Sequence, residues 1–328
     1  MKKFLLFCCV KSALINHSRM TGFHAIIRNS VLALLVSFSL QVCSAQSFFL
    51  PPSEGFRQDR FRTVIITETA IGLVASAGLY FLWYKRFPHS RFHLFNDNRE
   101  WLQVDKVGHA VTAYNIGVMQ HDLMRWCGVS PNTSIVIGSA SALGYMSIIE
   151  VMDGFSKHWG FSKGDMLANI AGTAIFAVQQ RFWHEQRISL KFSAHYTPFA
   201  AYYPAELGDN RASRLLKDYN GQTYWLSFNI KSFLPAASSF PAWANIAFGY
   251  GAEGMIGAHS NPPVINGKPI PYFKRVRQFY LAPDADLFRI KSSAPFNTAA
   301  YILKMSKIPS PALQLDSEGK WKLKAFYY

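Results

Sequence analysis

The chain has 328 residues, enough for about two domains of ordinary size. Half of the residues are hydrophobic, 16% are charged and the formal net charge is +15, a balance between that of a soluble protein and that of a polytopic membrane protein. Lys and Arg are scattered rather than striped and no nucleic-acid motif accompanies them, so nucleic acid is set aside as a partner and the basic charge points to anionic lipid headgroups.

The first segment reads as a leader. His24 and Arg28 precede the apolar run Val31 to Val42, and Cys43-Ser44-Ala45-Gln46 follows, the pattern of a secretory signal over residues 1–45 cut after Ala45, with Met20 as an alternative start. Lys2, Lys3, Lys11, Arg19 and Arg28 depart with it, taking +15 to +10. None of Cys8, Cys9 and Cys43 follows a small residue, which does not favour lipid attachment, and their removal leaves Cys127 without a disulfide partner.

Residues 46–188 are expected to form a hydrophobic bundle of about four helices. Thr63 to Trp83 is long enough to span a bilayer, with Glu68 as its only charge, and Lys85-Arg86-Phe87-Pro88 stops it. A second helix starts near Asp105 and runs through Met119. A third, Thr133 to Ile149, is dense in Gly, Ala and Ser, the composition that lets helix backbones approach closely. The fourth is Asp165 to Gln179. From Ser189 the hydrophobic period changes from about 3.6 towards 2. Lys191–Tyr203, Thr223–Lys231, Ala244–Gly257, Arg277–Ile290 and Trp321–Tyr328 read as strands of an antiparallel β domain over 189–328. The fold class is α+β. The aromatic terminus Phe326-Tyr327-Tyr328 also suits an outer-membrane barrel, but five strands fall short of the usual minimum of about eight.

In an up-and-down bundle, the starts of even helices and the end of the odd helix between them share one side. Topology alone therefore gathers Asp105, His109, Glu150, Asp153, His158, Asp165 and Asn169 at one rim. Two readings stay open. As a lock, Ser162 and Asp165 form a capping box, Glu150 pairs with Lys106 and Asn169 bonds between helices. As a catalytic site, His109 serves as base with Asp105 orienting it, while Glu150, Asp153 and Asp165 bind a divalent metal or polarise a substrate. No closed zinc pattern, phosphate loop or nucleophile elbow is present, so any cofactor is unspecified.

The same residues carry a resemblance. Asp105-Lys106-x-Gly108-His109, Glu150-x-x-Asp153-Gly154-Phe155-Ser156, Trp159-Gly160-Phe161-Ser162 and Asp165-x-x-x-Asn169 resemble the YfiM-like family of predicted periplasmic proteins. More distantly, Asp105, Lys106, His109, Glu150, Ser162, Asp165, Asn169 and Gly172 are similar to the pattern of VanZ-type membrane proteins, with Asp153 where those commonly carry Gln. The resemblance covers about a quarter of the chain and implies a cell-envelope membrane protein, with glycopeptide tolerance in the VanZ case. Expected partners are membrane lipids and lipid-linked or glycan envelope components. Lys85, Arg86, Arg91 and Arg99 favour an inner-membrane placement with the rim cytoplasmic and the β domain periplasmic, the outer membrane being the alternative.

Overall fold

The computed structural model describes residues 52–84, 87–290 and 294–328. The expected signal segment, the alternative start Met20 and Cys8, Cys9 and Cys43 lie outside these residues, as do Lys85 and Arg86.

Helix α1 spans Gln58–Leu79 and continues as a π turn through Tyr84. Helices α2 (Val104–Trp126), α3 (Pro131–Gly154) and α4 (Lys163–Trp183) follow. Their ends are written locally. Ser130 caps α3 by accepting from Thr133 N at 3.3 Å, and Pro131 takes the first-turn position, where a missing N–H is harmless. Ser162 caps α4 in the same way, accepting from Asp165 N at 3.1 Å.

All four expected helices are present, and α2, α3 and α4 are the three that pack closely. Helix α1 touches them mainly through Val64 and Phe61, which pack with Leu123, Met124 and Trp126 near the end of α2. Its apolar residues lie exposed all round, as in Ile66 and Leu73 at 69% each. A helix apolar on every side has no stripe to bury in a bundle of this size. Close approach within the trio depends on glycine. A Cβ at Gly172 of α4 would sit 1.9 Å from the Ala110 carbonyl oxygen of α2, and one at Gly138 of α3 would sit 2.7 Å from that of Gly117. Helices α1 and α3 are each long and apolar enough to cross a membrane.

Two short strands, β1 (Leu94–Phe95) and β2 (Phe161–Ser162), pair beside the start of α4. The main sheet contains β3 (Ile188–Ala194), β4 (Gln222–Asn229), β5 (Ala244–Glu253), β6 (Val276–Ala285), β7 (Ser310–Asp316) and β8 (Trp321–Tyr327). It is antiparallel throughout, in the order β8-β7-β6-β5-β4-β3. The five expected strands are present, each ending earlier than expected while β3, β4 and β6 begin earlier, and β7 adds a sixth. Short helices α5 (Pro204–Leu207) and α6 (Arg211–Lys217) bridge β3 and β4, and α7 (Ala294–Leu303) precedes β7. The free edge of β3 meets the run into β7: Phe192 N donates to Met305 O at 2.9 Å and Lys307 N to Phe192 O at 3.0 Å, so the sheet curls almost closed.

One apolar core joins helices to sheet. Val104, Val111, Tyr114 and Phe176 from α2 and α4 pack with Leu190, Tyr224, Met255 and Ile256. Before α2 the chain makes an unusual turn: Trp101, Leu102 and Gln103 all have positive φ, at 47°, 50° and 63°. Each costs roughly 1–3 kcal/mol for a side chain of this size. Partners from the sheet offset the cost. Leu102 O accepts from Tyr250 OH and, at 2.9 Å, from Arg277 Nη1, while Gln103 Oε1 accepts from Arg277 Nη2 at 2.6 Å.

Candidate functional site

That turn sets the direction in which α2 begins, and with it the placement of Asp105, Lys106 and His109. Lys106 is the centre of the cluster. Its ammonium lies 2.8 Å from Asp97 Oδ1, 2.8 Å from Asp165 Oδ1 and 3.3 Å from Asp105 Oδ2, with all four side chains at most 20% exposed. It does not pair with Glu150, contrary to expectation; α3 delivers Glu150 beyond it, to His109. Burial pulls the Lys106 ammonium down, but Asp105 and Asp165 outweigh this and hold it charged.

His109 sits one turn further along α2. Its Nδ1 lies 3.1 Å from Asn169 Oδ1 and 3.5 Å from Glu150 Oε1, so it donates to the amide oxygen when that nitrogen carries the proton. Its Nε2 is 3.9 Å from both Asp105 Oδ1 and Asp165 Oδ1, too far for a hydrogen bond. The expected orientation of His109 by Asp105 is therefore corrected. Asp105 Oδ1 instead accepts from Tyr219 OH at 2.6 Å, a contact that ties the rim to the segment before β4. Burial lowers the His109 pKa, yet the carboxylates of Asp105, Asp165 and Glu150 raise it overall.

The remaining acids divide between two neighbourhoods. Glu150 is 1% exposed and its Oε2 accepts from Ser162 N at 3.1 Å. That bond occupies the donor which a full capping box would give to Asp165, so the box is half formed. Ser162 Oγ donates to Asp97 Oδ1 at 2.6 Å. Asp153 stands apart, accepting from Tyr84 OH at 2.7 Å. His158 leaves the rim altogether: its Nε2 is 3.0 Å from Glu206 Oε1 on α5 and its ring stacks on Phe87. The topological argument thus brings together Asp105, His109, Glu150, Asp165 and Asn169, sets Asp153 to one side and loses His158. Asp97, Lys106 as hub, Tyr84 and Tyr219 escape sequence reasoning. Asp97 and Tyr219 sit in connections with no periodic signal, though the adjacency of Lys106 to Asp105 was visible.

The cluster holds four carboxyl groups, Asp97, Asp105, Glu150 and Asp165, against Lys106 and His109, with Asp153 to one side. Burial, helped by crowding, favours the protonated form of Glu150 and of Asp165. Burial, and then the nearby Asp105, push Asp165 up to about 7, whereas hydrogen bonds from Asp165, Lys106 and Ser162 hold Asp97 low against its own burial. The ligand atoms of Asp105, His109 and Asp165 lie within 4.8 Å of one another, a spacing a divalent ion can use. Lys106 already places a cation against two of these residues, so an ion there meets strong repulsion. The cleft beside the cluster, lined by Phe87, Trp101, Trp159, Glu206, Lys217 and Tyr219, has a volume of about 50 Å³.

No curated protein and no solved structure matches the chain. These comparisons lend no support to the VanZ likeness. Residues 93–181, just over a quarter of the chain, match the model of a family described as predicted periplasmic lipoprotein (DUF2279), and this stretch carries Asp97, Asp105, Lys106, His109, Glu150, Asp153, Ser162, Asp165 and Asn169.

Proposed function

We propose that the chain is a non-enzymatic, membrane-associated protein of the cell envelope, in which the polar rim locks three helices to a β module that makes the outward contacts. The family match supports an envelope location. The observation that carries the lock reading is the saturation of Lys106 by Asp97, Asp105 and Asp165. The Tyr219 hydroxyl closes the network from the sheet side by donating to Asp105 Oδ1. Buried ion networks of this kind fix one packing arrangement rather than add much net stability.

A second reading, a membrane-embedded hydrolase or transferase acting on a lipid-linked precursor, has one observation in its favour. Glu150 Oε1 and Asn169 Nδ2 are buried beside His109 without a hydrogen-bond partner. Substituting His109→Ala and Asp165→Ala in cells separates the two. The lock reading expects both variants to accumulate poorly in the envelope fraction. Normal accumulation together with a lost phenotype overturns it in favour of chemistry.

A further inference from the structure

The main sheet is patterned inside out. Its concave face is buried and polar. Lys191 Nζ lies 2.6 Å from Asp284 Oδ2, with both side chains at most 2% exposed, and Ser227 Oγ donates to the same oxygen at 2.6 Å. Asn245 Nδ2 donates to Ser227 Oγ at 2.9 Å, Asn229 Nδ2 to Asn245 Oδ1 at 2.7 Å, and Trp225 Nε1 to Ser193 Oγ at 2.8 Å. Ala247, Gly249, Ala282 and Ala312 give this face room to curl. A Cβ at Gly249 would meet the Trp225 ring at 2.7 Å.

The convex face is apolar: the helices cover its Leu190 and Tyr224 side, and among the described residues the remainder is bare. In register across all six strands runs the row Leu190, Leu226, Phe248, Leu281, Leu313, Leu323. Leu190 is buried under the helices, but the other five are 38–77% exposed. Ile246 and Phe279 extend the patch to either side of that row. In a water-soluble sheet the alternation runs the other way, apolar in and polar out. Polar interior with apolar exterior is the arrangement of strands facing lipid. One end of the patch is edged by exposed Trp183, Phe233 and Trp243, with the Arg187 guanidinium 5.0 Å from the Trp183 ring centre, the residue types found at headgroup level.

We propose that the convex face of the sheet is a lipid-contacting surface, seated in the acyl region of an envelope bilayer with Trp183, Phe233 and Trp243 at headgroup depth. Three side-chain rows cover about 14 Å along the strands, at about 3.4 Å per residue. Outer-membrane barrels need an apolar band of about 25 Å. The sheet therefore enters one leaflet and does not form a pore. This rests on the envelope reading above.

The full chain carrying Cys8→Ser, Cys9→Ser and Cys43→Ser leaves Cys127, which is fully buried, as the background for single labels. An environment-sensitive dye is attached through Leu281→Cys or Leu313→Cys, with Glu318→Cys on the turn between β7 and β8 as control. The chains are reconstituted in phosphatidylethanolamine and phosphatidylglycerol vesicles, with and without brominated acyl chains. Dye at 281 and 313 is expected to lose roughly twofold or more of its emission in brominated vesicles, and dye at 318 to lose none, as immersion to acyl depth requires. Chains that float with the vesicles while 281 and 313 stay unquenched overturn the proposal and leave the envelope reading standing. If those positions instead show dye self-quenching between chains, the face belongs to a second copy and the proposal also fails. Chains that do not float at all sink the envelope reading itself.

Discussion

Replacing Lys106 by Met keeps the length and apolar body of the side chain while removing the ammonium that stands within 3.3 Å of Asp97, Asp105 and Asp165. Three carboxyl groups in a pocket at most 20% exposed then face one another without a cation. Removing one partner from a buried pair costs about 3–5 kcal/mol, because the other charge stays behind desolvated. For a chain of this size that corresponds to a fall in melting temperature of roughly 6–15 °C. Near-ultraviolet circular dichroism of the detergent-solubilised protein follows the loss of aromatic packing. The effect carries a pH signature. Asp165 already keeps its proton up to about 7, and without Lys106 it keeps it higher still, so at pH 5 the cost shrinks by roughly 1–2 kcal/mol relative to pH 8. Adding Asp165→Asn to the Lys106→Met variant is expected to recover part of the loss at pH 8. A melting shift below roughly 2 °C at pH 8, or one equal at both pH values, would refute the view that Lys106 holds the rim together.

Other outcomes follow from the same packing. Gly172→Ala drives a methyl into the Ala110 backbone and is expected to cost about 1–3 kcal/mol or more in urea unfolding, whereas Gly144→Ala on the open side of α3 is expected to gain up to about 1 kcal/mol from helix propensity. Equal effects at the two sites would contradict the close approach of α2 and α4. In the unsubstituted protein, the raised pKa of Asp165 means that the folded state binds the extra proton, so stability falls as pH rises from about 4 to about 7, and the raised His109 pKa carries the decline further above about 6.5. Urea midpoints at pH 4.5, 6 and 7.5 read this slope, and Asp165→Asn is expected to make its acid part shallower, the other buried carboxyls carrying the rest; a slope unchanged in that variant assigns the titration elsewhere. Cys127 is buried, and burial pushes its thiol up to about 11, so a maleimide is expected to react roughly a hundredfold more slowly with the native chain than with the urea-unfolded one. Equal rates would mean that the junction between α1 and the end of α2 is open.

Features with a local cause were legible in the sequence. Ser162 marks a helix start by capping chemistry, as Ser130-Pro131 also does two residues before the expected start at Thr133, and the alternation of helix directions placed Asp105, His109, Glu150, Asp165 and Asn169 at one end. What depends on distant segments was not. Asp97 reaches Lys106 from an irregular connection, and Tyr219 reaches Asp105 across 114 residues. Strand β7 was hidden by Pro311, which breaks the pattern of an interior strand, although Leu313 and Leu315 alternate with Gln314. Helix α1 was counted into the bundle because length and hydropathy say nothing about which neighbour, if any, a helix meets. The reversed polarity of the sheet was half visible, since the period of two was read correctly but periodicity does not say which face turns inward.

The left-handed turn at Trp101, Leu102 and Gln103 makes the rim answerable to the far end of the chain. Its fastenings, Tyr250 and Arg277, come 148 and 175 residues after Leu102. During synthesis the helices emerge complete, yet the first turn of α2 has nothing to brace it until the β5–β6 hairpin exists. Rim assembly is thus a late event, dependent on strand pairing rather than on helix formation. A segment cut to residues 93–181 keeps every acid and base of the rim's core but not the brace that aims them, so transplanting those residues alone into another scaffold carries the composition of the site without its geometry.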